Sequence, residues 1–119
     1  MDNIKSKIEK HQKALSQYIS QLAEKYNNSL GNTMNYQAVI DKEGKHFQLL
    51  KMGWHEDLYS FSVLIHLDIN IETGNIWIQQ NNTEIELEID LAEFDIFKEN
   101  LVLGFRPAYV RALSDYAAA

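Results

Sequence analysis

Residues 59–71 read YSFSVLIHLDINI, and this stretch decides the fold. It reads as the longest strand of the chain, with apolar residues at nearly every second position. That period of two is the mark of a β-strand with one covered face. Strict alternation puts Tyr59, Phe61, Val63, Ile65, Leu67 and Ile69 on one side. Ser60, Ser62, Leu64, His66, Asp68 and Asn70 fall on the other. Working outward, Glu72-Thr73-Gly74-Asn75 is a turn and NIWIQQ (75–80) a following strand. HFQLLKMGW (46–54) precedes the long strand. TMNYQAVID (33–41) precedes that, across the turn Lys42-Glu43-Gly44-Lys45, where Gly44 supplies a positive φ. Short connections of this kind predict an antiparallel meander of about four strands.

The N-terminal segment has a different period. Ile4, Ile8, Leu15, Ile19, Leu22 and Tyr26 recur at steps of three, four or seven, so one apolar stripe runs along a helix. Asp2 or Asn3 is placed to cap its start, and Asn27-Asn28 with Gly31 to end it. After the sheet, residues 84–94 read either as strand or as helix. Alternation from Glu84 to Leu91 favours strand. Thr83 with Glu86 three residues on suggests a capping box, and early acids favour a helix start. Helix is the preferred reading, with Ile85, Ile89 and Ala92 on its inner face. LVLGF (101–105) is then a buried apolar segment. Pro107 opens a last helix, PAYVRALSDYAAA, with Val110, Leu113 and Ala117 inward. The expected fold class is α+β. It has an N-terminal helix, the meander, and one or two C-terminal helices packed on one face.

Bulk composition narrows the function classes. The chain has 119 residues, room for one domain spanning 1–119. No apolar run approaches the ~20 residues that span a bilayer, and the N-terminus carries no apolar signal core. A cytoplasmic location follows as an expectation. The chain has no cysteine, which excludes disulfides, thiolate catalysis and Cys-ligated metal centres. Net charge is −6. Residues 3–28 hold five lysines against two glutamates, a local charge of +3. Residues 29–119 hold six basic and fourteen acidic residues, a local charge of −8. An acidic body repels phosphate, so DNA contact is expected to be indirect or weak.

Several blocks then fit a known pattern. HFQLLKMGW (46–54), SVLIHLDI (62–69), GNIWIQQNNTE (74–84), LVLGF (101–105) and PAYVR (107–111) stand in order, before an aromatic-Ala run at Tyr116–Ala119. From about Tyr18 onward the chain resembles the XisI-type fdxN-element excision controlling factors. The resemblance implies a single α+β domain. It also implies a part in cyanobacterial fdxN-element excision beside an XisH-type companion and a site-specific recombinase. It carries over no catalytic residue and no cofactor. Two positions depart from the family pattern. Phe94-Asp95-Ile96-Phe97 stands where a Gly-x-Pro bend is usual, and Asn75 where a Lys is common.

Candidate chemistry is sparse. His66 and Asp68 share a strand face, and His46 begins the neighbouring strand, so the three are a candidate metal set. Their other reading is the wet face of a sheet. Ser60 and Ser62 fall on the same predicted face, without the setting of a nucleophile. Glu43-Gly44-Lys45 resembles a nuclease Glu-x-Lys only by coincidence. Seven acids between Glu84 and Glu99, against Lys98 alone, form either a solvated face or a docking surface for a basic partner. Trp54 and Trp77 are expected in the core, and an exposed one would mark an interface. Arg106 and Arg111 are candidate anion contacts. The partner-binding candidates are therefore Trp54, His66, Asp68, Trp77, Gln79, Glu84, Arg106 and Arg111. The leading expectation is a non-enzymatic accessory protein that grips another protein. Direct DNA binding by the basic helix, and a metal-dependent enzyme using His46, His66 and Asp68, are the alternatives. The apolar helix stripe and a sheet with free edges leave a homodimer open.

Overall fold

The computed structural model describes residues 3–119. Helix α1 spans Asn3–Asn27. Strands β1 (Asn35–Ile40), β2 (His46–His55), β3 (Leu58–Ile69) and β4 (Ile76–Asn81) follow. Then come α2 (Leu87–Ala92), a 3₁₀ turn (Lys98–Asn100), β5 (Leu101–Leu103) and α3 (Ala108–Arg111). The expected α+β class holds. A cap from Asp2 lies outside the described residues.

The sheet order is β1-β2-β3-β4-β5. The first four strands form the antiparallel meander. LVLGF contributes a strand rather than only a buried segment: β5 pairs parallel with β4, Ile76 opposite Leu101 and Ile78 opposite Leu103. A parallel neighbour needs a crossover, and α2 lies within it.

Helix α1 covers one sheet face. It buries Ala14, Leu15, Tyr18, Ile19, Leu22 and Ala23 against Phe47, Leu49, Ile65, Leu67, Ile69, Ile76 and Ile78. Ile4, expected in the stripe, is exposed. His11 fills the stripe between Ile8 and Leu15 and is almost fully buried. Its Nδ1–H donates to the Gly74 carbonyl at 2.7 Å. Gly74 has φ +78, and a Cβ there would sit 2.9 Å from the Lys7 side chain. Glycine thus lets the β3–β4 turn and α1 approach closely.

The helical reading of 84–94 is correct in type and shifted in phase. The helix begins at Leu87, with Glu86 as an N-cap lacking a side-chain bond. Thr83 closes an earlier turn instead: its Oγ1 donates to Asn81 Oδ1 and accepts from the Ile85 N–H. The buried pair is Leu87 and Leu91, one turn apart, while Ile89 is exposed. The helix exit is a Schellman motif. Ile96 N–H bonds the Leu91 carbonyl, and Asp95 N–H bonds the Ala92 carbonyl. Asp95 takes φ +61, the left-handed position that glycine usually fills. Leu91 and Ile96 complete the motif's apolar contact and are fully buried.

The last helix is shorter than its pattern suggests. Only Ala108–Arg111 is helical, and Leu113 is exposed rather than buried. Beyond it the chain turns through residues 112–116 and then meets β5, where Ala117 bridges Val102 and its N–H bonds the Leu101 carbonyl. Edge pairing with β5 satisfies backbone groups that a longer helix would have satisfied internally.

Candidate functional site

Two register shifts shape the sheet face opposite α1. On β3, Ile65 pairs with Leu49 but Val63 pairs with Leu50, so Leu64 is an extra residue. An inserted residue reverses the facing of everything beyond it. Ile65, Leu67 and Ile69 face α1 as expected. Val63, Phe61 and Tyr59 are turned to the opposite face, and Ser60 and Ser62 to the α1 side. This corrects the single six-residue stripe. It also removes both serines from the face that holds His66 and Asp68, so no hydroxyl–imidazole pair forms there.

The reversal creates an exposed aromatic arm. Met52 pairs with Phe61 and Trp54 with Tyr59, across the tight turn at Glu56-Asp57. Trp54 is 62% exposed, Phe61 58% and Tyr59 50%. The expectation that Trp54 is core fails, because it lies on the sheet face turned away from α1, where no element covers it. The Trp54 and Tyr59 rings lie 5.1 Å apart. β3 alone extends about 40 Å, and the molecule measures 52 × 29 × 23 Å.

On the same face, nearer the sheet centre, a polar cluster forms. His46 pairs with Asp68, and Gln48 with His66, so the ladder itself sets the positions. His46 Nδ1 and His66 Nε2 each lie 2.7 Å from the same Asp68 oxygen, Oδ1. Asp68 Oδ2 accepts from Gln79 Nε2 at 3.1 Å, and Gln48 Nε2 lies 2.8 Å from His66 Nδ1. Gln79 follows Trp77 by two residues and so shares the Asp68 face; it is also the extra residue of the second register shift, between Ile78 and Gln80. Burial pushes the Asp68 carboxyl up, but hydrogen bonds from His46, His66 and Gln79 outweigh it, so its pKa ends below the usual value. The bond to Asp68 raises the His46 pKa. The candidate metal ligands His46, His66 and Asp68 therefore do converge, with one donor atom from each within 4.8 Å of the others.

The other candidates are placed apart. Trp77 shares a rung with Asp68 and is half-buried, its Nε1–H buried without an acceptor. The Arg111 guanidinium lies 4.9 Å over the Trp77 ring. It donates from Nε to the Ala118 carbonyl and from Nη1 to the Arg106 carbonyl, so it holds the C-terminal segment to the sheet. Arg106 rests 5.1 Å over Phe105. Glu84 is exposed on the loop before α2. Within the acidic run, Asp90 accepts a 2.6 Å bond from the buried Tyr18 hydroxyl. Glu43 and Lys45 pair with each other at 3.1 Å in their turn. Sequence reasoning missed Tyr59 and Phe61 as surface residues, and Gln48 as a partner of His66. The consecutive apolar pair Leu64-Ile65, which breaks the alternation, was the only trace of the bulge.

Comparison with known proteins places this architecture. The family described as XisI protein matches residues 1–118. A search of curated proteins found no match. Among solved structures, the chain is similar to a XisI-like protein from Anabaena variabilis ATCC 29413. The TM-score is 0.72 and identity 28%, covering 98% of this chain and 100% of that one. It is also similar in fold to the fdxN element excision controlling factor XisI from Anabaena variabilis ATCC 29413. There the TM-score is 0.73 and identity 23%, covering 95% and 99%. With its helix-backed meander, its crossover to β5 and a match over nearly every residue, the chain belongs to the XisI family.

Proposed function

We propose that this protein is a non-enzymatic controlling factor for programmed site-specific DNA excision, acting by binding an XisH-type companion protein. Family membership carries the excision role. The exposed aromatic arm supports action through protein contact. Trp54, Tyr59 and Phe61 form an apolar surface of the residue types that dominate binding hot spots.

Direct DNA binding by α1 is the weaker reading. Lys7 is drawn to Asn75 Oδ1 at 2.7 Å, and Lys10 to the Asp95 carbonyl at 2.9 Å. Two of the five helix lysines are thus engaged by the body of the protein, which is itself acidic.

Co-purification with an XisH-type protein tests the proposal. Wild-type protein should associate at low salt, and Phe61→Ser with Trp54→Ala should weaken association at least tenfold while the circular dichroism spectrum stays unchanged. Absence of association at low salt would overturn the proposal. Sedimentation of the isolated protein separates this from self-association through the same arm, which would appear as a concentration-dependent dimer.

A further inference from the structure

We propose that His46, His66 and Asp68 form a binding site for a divalent transition-metal ion of the zinc class, with a coordination position open to solvent. This goes beyond the excision role and rests on separate observations.

The donor set is right for such an ion. Two imidazole nitrogens and one carboxylate oxygen suit a borderline divalent metal. The donors come from neighbouring strands at rungs two apart, on one face: His46 opposite Asp68 and Gln48 opposite His66. Their spacing is therefore fixed by the backbone ladder rather than by a loop. Both imidazoles point at one oxygen, each at 2.7 Å. A tetrahedral ion with bonds of about 2.0–2.1 Å separates its donors by about 3.3 Å. Each nitrogen–oxygen separation thus needs to open by about half an ångström. His46, whose side chain is 57% exposed, has room to make that adjustment.

Outer partners that orient metal ligands are also in place. Gln79 holds the second oxygen of Asp68, leaving Oδ1 for the ion. Gln48 holds His66 Nδ1. In the structure the Gln48 amide nitrogen faces that ring nitrogen; when Nε2 binds the metal, the amide turns so that its oxygen accepts the Nδ1–H. Three protein donors with a solvent-facing side match an open site, where water or a partner's side chain supplies the next ligand.

Titration of untagged, chelator-treated protein with Zn²⁺, and separately with Co²⁺, tests this. The expected result is one ion per chain with micromolar or tighter affinity, and intense visible Co²⁺ bands typical of low coordination number. His66→Ala and Asp68→Asn should each lower Zn²⁺ affinity at least tenfold with unchanged circular dichroism. Gln48→Leu should lower it less. His55→Ala, at the arm turn, should leave it unchanged. No stoichiometric binding by wild-type protein would overturn the proposal. So would binding that survives in both His66→Ala and Asp68→Asn.

Discussion

Lys7 near the start of α1 donates a 2.7 Å hydrogen bond to Asn75 Oδ1, just before β4. Asn75 is almost fully buried, and its Nδ2 also donates to the Ala119 carbonyl at 2.7 Å. One amide therefore ties the first helix, the β3–β4 turn and the C-terminal segment together. Lys7 thereby sets a positive charge against the Asn75 side chain. Asn75→Ala should cost about 1–3 kcal/mol, because it leaves buried partners unsatisfied. Asn75→Lys should also destabilise, by setting two ammonium groups against each other. Urea unfolding of the three proteins checks both.

The arm and the core should respond differently to truncation. Phe47 is fully buried beneath α1, so Phe47→Ala should cost about 3–5 kcal/mol. Phe61 lies two rungs past the bulge on the exposed face, so Phe61→Ser should cost less than about 1 kcal/mol. Thermal unfolding of the two variants distinguishes them. Equal losses would show that the arm is covered in the folded protein.

Buried His11 should make stability depend on pH. Burial lowers its pKa from the usual 6.5, and Lys7 and Lys10 add to the lowering. The unfolded chain then binds the proton more readily than the folded one. His11's contribution is full above pH 6.5 and is lost as pH falls through the folded value. His46 runs the other way. Its pKa is raised by Asp68, so its contribution is full below 6.5 and lost as pH rises through the folded value. His11→Asn places an amide donor toward the Gly74 carbonyl without a titrating ring. Its stability should fall less than wild type between about pH 7 and 5, measured by urea unfolding.

The α2 exit carries relievable strain. Asp95 holds φ +61 at the Schellman position. Asp95→Gly should raise stability by about 0.5–1 kcal/mol, since the left-handed conformation is costly for a residue with a Cβ. A rise in the unfolding midpoint at unchanged urea dependence is the expected result.

Much of the fold was legible because it follows from local periodicity. The meander came from alternation in 33–41, 46–54, 59–71 and 75–80, and α1 from the spacing of Ile8, Leu15, Ile19 and Leu22. The bend at 94–97 was recognisable as a departure, but not as a Schellman motif, because Asp95 gives no glycine signal. The site was half legible. His66 and Asp68 on one strand, with His46 on the next, were identified from spacing and do meet. Gln79 was singled out for its place beside Trp77, and its bond to Asp68 followed only once pairing set Trp77 opposite Asp68. Arg111 was read as a candidate anion contact, whereas it is held by two nearby carbonyls, Arg106 and Ala118, and by the distant indole face of Trp77.

The sequence by itself determined the strand and helix periods, the charge division between α1 and the rest, and the family. Tertiary structure alone decided which way each residue faces beyond Leu64. Facing along a strand has a period of two, so a single unpaired residue inverts every side chain after it. That residue is fixed by pairing with β2, not by any property of Leu64 itself. The same pairing leaves Trp54, Tyr59 and Phe61 in solvent and brings two imidazoles to one carboxylate oxygen.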